Sequence, residues 1–309
     1  MTTRIIKIGS RGSPLALWQA NWIKDQLESQ HPDIPVEIVI IKTSGDKIQD
    51  VPLAKIGGKG LFVKEIEEAM LRNEVDFAVH SMKDMPIKFP YSLCIASVTK
   101  RENPCDALIS KNDIKLDDLP KGAKVGTGSL RRISQLLHYR PDLELVPLRG
   151  NLDTRIKKLE TEGLDAIILA AAGLIRMGWK EKISEVISPE ILLPAMGQGA
   201  VGIEARKSDV DNQILLADLD DKNTHLALDA ERAIVTRLEG GCNVPIGAFA
   251  TIEGDEITIK GLVASLDGKT VYKKEIKGNK INAIILGKEL GDALIDMGGD
   301  KIMQEIQSL

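Results

Sequence analysis

A strand, a glycine-containing turn, a serine and a helix follow one another at two places in this sequence. At the first, a strand at 4–8 leads through a turn to Ser13 and a proline-initiated helix. At the second, a strand that ends at Val125 leads through 126–128 to Ser129 and another apolar helix. Because the same unit recurs, the sequence predicts two similar α/β halves with apolar, parallel strands.

Each unit is followed by a further helix and strand. Residues 60–66 predict a helix before a strand at 76–79, and residues 150–156 predict a helix before a strand at 165–169. A strand-like segment at 200–205 is expected to return to the sheet of the first half. In such sheets ligands bind at the carboxyl ends of strands, so we expect functional residues at these turns.

The last third of the chain has a different pattern. Residues 224–239 predict an amphipathic helix, and three alternating strands follow, separated by turns at 253–255 and 267–268. A helical tail with a glycine break at 298–299 ends this region. Linkers are predicted at 99–104 and 194–199. We therefore predict three domains: α/β domain 1 at 1–98 and 200–219, α/β domain 2 at 105–193, and an α+β domain 3 with a three-stranded antiparallel sheet at 223–309.

Charge and composition limit the class of ligand. The 309 residues include 41 lysines and arginines against 45 aspartates and glutamates, a net charge of −4, and aromatic residues make up only 3%. Such a chain repels polyanions and offers few stacking surfaces, so nucleic-acid binding is not expected. The N-terminal residues resemble no targeting segment and no run is long enough to span a membrane, which predicts a cytoplasmic protein. Three widely spaced cysteines and scattered histidines predict no metal site.

The segment Ser129–Arg132 is a candidate anion site. A helix start presents unpaired backbone N–H groups and the positive end of the helix dipole, and Arg131 and Arg132 add two guanidinium groups. The alternative is charge on a solvent-facing helix, which we favour for Lys157 and Lys158. Further arginines occupy comparable positions near turns and helix starts: Arg11, Arg149, Arg155 and Arg176.

Lys83 and Asp84 follow an apolar strand directly and precede Pro86. From spacing alone, a solvated turn and a functional site are equally good interpretations. Their position at a strand end, where the other candidate residues also fall, favours a carboxylate that stabilises developing positive charge or moves protons.

Two further segments have competing interpretations. Residues 57–60 are too short for a phosphate-binding loop and are better interpreted as a flap that carries Lys55 and Lys59, or as a plain surface loop. Cys242 follows a helix end, where the dipole disfavours a thiolate. A small buried side chain is the simpler interpretation, although the two preceding glycines would suit a covalent anchor.

Taken jointly, these motifs resemble the porphobilinogen deaminase family along essentially the whole chain. The matching segments are Gly9–Arg11 with Ser13, Gly57–Phe62, His80–Asp84, Gly126–Arg132, Arg149–Arg155, and Gly241-Cys242 before Val244-Pro245. Two positions depart from the family pattern. Gly128 stands where the family often has serine, which removes a hydroxyl, and Asn243 stands where glutamine is usual.

The resemblance implies a fold and a reaction. It implies two domains like those of type II periplasmic binding proteins around a cleft, plus a third domain whose Cys242 carries dipyrromethane through a thioether. Four porphobilinogen molecules would lose ammonia and join on this primer, and hydrolysis would release the linear tetrapyrrole hydroxymethylbilane. The implied protein is a monomeric transferase of tetrapyrrole and haem biosynthesis that binds porphobilinogen and the elongating oligopyrrole.

The resemblance also implies residue roles. Asp84 would be catalytic, and the carboxylates of the cofactor would be held near Asp84 by Lys83, Thr127, Ser129, Arg131 and Arg132. The substrate would contact Arg11, Ser13, Phe62, Arg149, Asn151, Arg155, Arg176 and Gln198. Lys55 and Lys59 would belong to a lid. The competing hypothesis is a non-catalytic cytoplasmic protein that binds small anions on the same scaffold, and it would need neither Cys242 nor Asp84.

Overall fold

The computed structural model of the chain describes residues 4–47, 62–240 and 244–308. Its backbone divides into two compact units: Met1–Arg101 with Ala200–His225, and Glu102–Gly199 with Leu226–Leu309. Among the described residues, no helix is both long and apolar enough to cross a membrane.

The strands and helices of the described residues are numbered in chain order. The strands are β1 Ile6–Ser10, β2 Val36–Ile40, β3 Phe77–Ser81, β4 Leu93–Val98, β5 Asp106–Ser110, β6 Lys124–Gly126, β7 Glu144–Val146, β8 Ala166–Ala170, β9 Glu185–Ile187, β10 Val201–Arg206, β11 Ile246–Glu253, β12 Glu256–Ala264 and β13 Val271–Asn279. The helices are α1 Pro14–Gln30, α2 Ser44–Lys47, α3 Lys64–Leu71, α4 Leu130–Tyr139, α5 Leu152–Thr161, α6 Ala171–Arg176, α7 Val210–Ala217, α8 Lys222–Arg237, α9 Ala283–Leu294 and α10 Asp300–Gln307.

The first unit contains a sheet in which five described strands take the order β2-β1-β3-β10-β4. Strand β1 is parallel to β2 and β3, whereas β10 runs antiparallel to both of its neighbours. Helices cover both faces, since Phe77 and Val79 pack with α1 on one face and Ala78 packs with α3 on the other. The segment that was predicted to return to this sheet does so as β10.

The second unit repeats this arrangement in the order β7-β6-β8-β5-β9 among its described strands. Strand β6 is parallel to β7 and β8, and β5 is antiparallel to β8 and β9. Both sheets therefore have three parallel strands at one side and one antiparallel strand next to the far edge. The strands predicted to be parallel are parallel, β1 to β3 and β6 to β8, whereas no direction was predicted for the antiparallel strands β5 and β10. A strand buried on both faces has the same apolar composition in either direction, so its pattern does not reveal its orientation.

The same unit also carries an antiparallel sheet in which β12 lies between β11 and β13. Its turns contain Gly254 and Gly268, both with positive φ, as the glycine turns predicted. Helix α9 covers this sheet, and the chain kinks at Gly298, where φ is 108°, before α10. The described structure is thus the mixed α/β fold that the sequence predicted, with two similar sheets and a three-stranded antiparallel one.

Candidate functional site

Asp84 lines a small cavity in the first unit. The cavity has a volume of about 60 Å³, and its walls come from α1, the end of β3 and the start of α3. Its lining residues are Arg11, Ser13, Leu15, Ala16, Gln19, Phe62, Val63, Val79, His80, Ser81 and Asp84. Four residues that were selected from the sequence, Arg11, Ser13, Phe62 and Asp84, are therefore brought together at this cavity.

The backbone holds Asp84 at the carboxyl end of β3. A single 3₁₀ turn, Met82–Asp84, follows the strand directly, and Met82 N donates to Ala200 O at 3.0 Å. The Met82 side chain is fully buried, and a Cβ on Gly202 of β10 would lie 1.9 Å from its sulphur. Glycine at 202 therefore makes room for the methionine that anchors the turn carrying Asp84.

Arg11 and Phe62 form one wall of the cavity. The guanidinium carbon of Arg11 lies 4.2 Å from the centre of the Phe62 ring, a cation–π contact that holds the charged group beside the opening. Ser13 caps α1, and its hydroxyl accepts a hydrogen bond from Ala16 N at 3.4 Å. The cavity thus has a cation and a carboxylate along its walls, which suits a ligand that carries both acidic and N–H groups.

In the second unit, Arg131 and Arg132 turn inward to one buried carboxylate. Arg131 Nη1 lies 2.8 Å from Asp106 Oδ2, and Arg132 donates to Asp106 Oδ1 from Nη2 at 2.7 Å and from Nε at 3.0 Å. All three side chains are at least nine-tenths buried. Burial raises the pKa of the Asp106 carboxyl, but the two guanidinium charges outweigh it and leave the pKa well below its ordinary value.

This cluster holds one more positive than negative charge, and neighbouring groups fix its geometry. Arg131 Nη1 also donates to Leu193 O at 2.7 Å, and Gln198 Nε2 donates to Asp106 Oδ1 at 2.9 Å. Within the part of the chain that the structure describes, Arg131 Nε is buried without a hydrogen-bond acceptor. Gln198 therefore belongs to the same group of side chains as the two arginines.

Helix α4 begins after Ser129 without a side-chain cap. Ser129 occupies the N-cap position, but its side chain accepts no hydrogen bond from the helix. Its backbone N–H donates to Thr127 Oγ1 at 3.4 Å instead. A Cβ on Gly128 would lie 2.7 Å from Leu148 O, so the glycine lets the chain just before Arg149 approach this turn closely.

The remaining arginines of the second unit differ in their surroundings. Arg149 is half-buried, and no hydrogen bond or ion pair engages its guanidinium among the described residues. Arg155 Nε donates to Gly150 O at 2.8 Å beside Asn151, which precedes α5. Arg176 is buried and donates to Gly199 O at 2.7 Å, and burial lowers its pKa to about 10 against the opposing charge of Glu102.

Several predicted residues add less to the geometry. Lys83 is half-buried on the 3₁₀ turn next to Asp84. Lys55, Lys59 and Cys242 lie outside the described residues, as does Asn243. Within residues 4–47, 62–240 and 244–308, no group of three or more His, Cys, Asp or Glu side chains could hold a metal ion.

The acidic partner of the two arginines was not found from the sequence. Asp106 is the first residue of a buried strand, and a charged residue there gave the only available signal, because apolar strands rarely bury a carboxylate without a partner. The pairing of His80 with Glu204 inside the first unit, with His80 Nε2 3.2 Å from Glu204 Oε2, was not predicted either.

The strand order of the two sheets and the arginine-bearing turns define the class of protein. It is an α/β protein with two mixed sheets of matching strand order, and arginines lie at strand ends and helix starts, where α/β proteins bind ligands. A family model described as porphobilinogen deaminase, dipyromethane cofactor binding domain, matches residues 6–214, and the porphobilinogen deaminase C-terminal domain matches residues 225–296. The chain belongs to the porphobilinogen deaminase family.

Curated relatives agree with this membership. Porphobilinogen deaminase from Desulforamulus reducens is 52% identical over 303 residues, which cover 98% of each chain. That from Syntrophus aciditrophicus is 53% identical over 302 residues, covering 98% of this chain and 99% of the relative. The solved periplasmic aliphatic sulphonate binding protein SsuA from Escherichia coli is 16% identical with a TM-score of 0.40, covering 77% of this chain and 71% of SsuA.

Proposed function

We propose that this protein is a porphobilinogen deaminase, a transferase that joins four porphobilinogen molecules into hydroxymethylbilane and releases ammonia. The observation that carries the proposal is the cavity lined by Asp84 and Arg11 in a member of this family. Each porphobilinogen has an acetate, a propionate and a pyrrole N–H, so it needs cations for its acids and an acceptor for its N–H. Arg11 and Asp84 supply one of each.

Asp84 would act through its charge. As ammonia leaves, positive charge develops on the substrate pyrrole, and a fixed carboxylate in a small cavity stabilises that charge more strongly than water does. The same carboxylate accepts the pyrrole N–H and lies at hand for the proton that leaves when two pyrroles join. The buried Met82 side chain anchors the 3₁₀ turn and so holds the Asp84 carboxylate in place.

The residues present fit a dipyrromethane cofactor, whose acidic side chains require several cations. Lys83, Arg131 and Arg132 would hold these acids, with Thr127 and Ser129 as hydroxyl donors and Asp84 at the pyrrole N–H groups. Two observations support this assignment: the Asp106 cluster has excess positive charge, and the buried Arg131 Nε has no hydrogen-bond acceptor among the described residues. When bound, dipyrromethane supplies the free pyrrole position on which the tetrapyrrole grows, and Cys242 would be its thioether attachment point.

The substrate and the growing chain would be held by a second set of residues. Arg149 supports this role best, because it is half-buried and its guanidinium makes no described ion pair. The others are Arg11, Ser13, Phe62, Asn151, Arg155, Arg176 and Gln198, with Lys55 and Lys59 in a lid. We further propose a cytoplasmic monomer with α/β domains at 1–98 with 200–219 and at 105–193, and a cofactor-bearing domain at 223–309.

The mass of the intact protein tests this proposal. Protein made in a host that synthesises porphobilinogen should exceed its sequence mass by two pyrrole units, and Cys242→Ser should abolish the addition. Cys94→Ser is the matched control, since this half-buried free cysteine has no proposed role and its variant should keep the added mass. An unmodified wild-type chain would favour an anion-binding protein without catalysis.

The role of Asp84 has its own test. Asp84→Asn keeps the size and hydrogen-bonding capacity of the side chain but removes its charge. We expect kcat to fall by about 10²–10³-fold while the dipyrromethane mass addition is retained, because the charge acts mainly in the transition state. A variant with near-normal turnover would refute this electrostatic role.

A further inference from the structure

A histidine and a glutamate meet inside the first unit, and none of the roles proposed above uses them. His80 Nε2 of β3 lies 3.2 Å from Glu204 Oε2 of β10, and their side chains are 4% and 0% exposed. Neither glutamate oxygen has a hydrogen-bond partner among the described residues. A buried carboxylate without hydrogen bonds is costly unless a charge compensates it, so the imidazole ring is its natural partner.

The pair is built into the same structure that holds Asp84. Gly202 lies opposite His80 and Glu204 opposite Ala78 in the β3–β10 register. Alternation along β10 puts Gly202 and Glu204 on one face of the sheet, where Gly202 contacts Met82 and Glu204 contacts His80. One strand therefore supports the Asp84 turn through Gly202 and the His80 ring through Glu204.

His80 also reaches the functional cavity. His80 is one of the residues that line the same cavity as Asp84, and its buried side chain contacts Glu204. The His80–Glu204 pair therefore lies next to the space in which the substrate would react. A change in the charge of the pair acts on Asp84 across protein interior rather than water, where electrostatic effects are large.

A third acid couples to this pair from α3. Burial raises the pKa of Glu67 to about 7, with additional contributions from the charges of Glu204 and Glu68. Glu67 Oε1 is buried and has no hydrogen-bond partner in the described structure. The other titratable or charged groups around the pair are Cys94 of β4, whose thiol senses the Glu204 charge, and Arg11 and Asp84 along the cavity.

We propose that His80 is a positioning residue for the Asp84 chemistry, held in place by the Glu204 carboxylate behind it, and that the buried acid Glu67 beside this pair makes turnover depend on pH. Glu204 fixes the position of the ring, and Glu67 adds or removes one negative charge that interacts with Glu204. This inference rests on the proposed function, because its readout is the turnover of porphobilinogen.

The test is the pH dependence of kcat for the dipyrromethane-bearing enzyme with porphobilinogen, from pH 5.5 to 9, within the range where thermal denaturation shows the protein folded. Glu204→Gln should lower kcat about tenfold or more and change the shape of the profile, with KM altered less than kcat. Glu67→Gln, which does not reach the cavity, should flatten the part of the profile near pH 7. Glu68→Gln is the matched control on the same helix, and because its exposed side chain makes the smallest contribution to the raised Glu67 pKa, it should change the profile much less than Glu67→Gln.

The outcomes separate the two proposals. A wild-type enzyme that does not convert porphobilinogen refutes both. If the wild-type is active and the pH profile of Glu67→Gln is identical to that of the wild-type, this inference alone is overturned. If Glu204→Gln fails to fold, the Glu67→Gln profile decides the inference. Equal shifts in Glu67→Gln and Glu68→Gln would also overturn it, because they would indicate a general effect of charge on α3.

Discussion

Replacing Asp106 by asparagine should destabilise the protein strongly. The Asp106 side chain is 0% exposed and lies within 2.8 Å of Arg131 and 2.7 Å of Arg132. Asparagine has the same shape but no charge, so Asp106→Asn leaves two guanidinium groups buried side by side without compensation. Removing one partner of a buried ion pair costs about 3–5 kcal/mol, which is a large part of the ~5–15 kcal/mol that usually stabilises a folded protein.

Urea denaturation at pH 7 measures this loss, with equal slopes required before the free energies are compared. Asp292→Asn is the control, because its partner Arg237 and Asp292 itself are about half exposed, and we expect a change within about 0.5 kcal/mol. A loss below about 1 kcal/mol for Asp106→Asn would refute the reasoning.

The pH dependence gives a second check on Asp106. Its folded-state pKa is depressed, so the stabilisation is complete above the ordinary value of 3.8 and is lost as the pH falls towards the folded-state pKa. The wild-type should therefore lose stability below about pH 4, and Asp106→Asn should lose less over the same range. If the free energy of unfolding falls equally with pH below about pH 4 in the two proteins, this assignment is contradicted.

Three further predictions concern packing and charge. Gly202→Ala should cost about 1–3 kcal/mol and lower kcat, because the new Cβ meets the Met82 sulphur; thermal denaturation and steady-state kinetics measure both effects. Glu67→Gln should be more stable than the wild-type at pH 8 by up to about 2 kcal/mol and equal to it below pH 4.5. A folded-state pKa raised to about 7 means that wild-type stability falls between about pH 4.5 and 7 and is level above, which urea denaturation at both pH values tests. Gly268→Ala should destabilise by about 1–3 kcal/mol, because φ is +69° and a Cβ would lie 2.6 Å from His138 N; thermal denaturation with Gly12→Ala as a control without positive φ checks the value.

Locally encoded features could be predicted from the sequence. Ser13 before Pro14 specifies the start of α1 through a cap and a fixed φ, and the turn glycines 254 and 268 specify the hairpins of the last sheet. Asp84 was selected because it follows an apolar strand directly, where other candidate residues also fall, and it lines a cavity with Arg11, Ser13 and Phe62. Each of these features is specified by residues that are close together in the sequence, so it can be predicted without knowing any distant contact.

Features that depend on distant partners could not be predicted in this way. The link between Asp106 and Arg131 spans 25 positions, and that between His80 and Glu204 spans a large part of the chain, so neither leaves a local pattern. The inward orientation of Arg131 and Arg132 is decided by Asp106 and by the Leu193 carbonyl, not by the helix that carries them. The antiparallel direction of β5 and β10 could not be predicted from the sequence either, because it depends on where each strand enters its sheet.

The insertion of β10 between β3 and β4 has a consequence for synthesis of the chain on the ribosome. Strands β5 to β9 lie together in residues 106–187, so one continuous stretch supplies every described strand of the second sheet. The first sheet cannot close until β10, which ends at Arg206, has emerged. Until then β3 and β4 lack the strand that joins them, and their edges are open to incorrect pairing. The second sheet should therefore be able to fold before the first sheet is complete. A chain that stalls before residue 201 should be prone to aggregation.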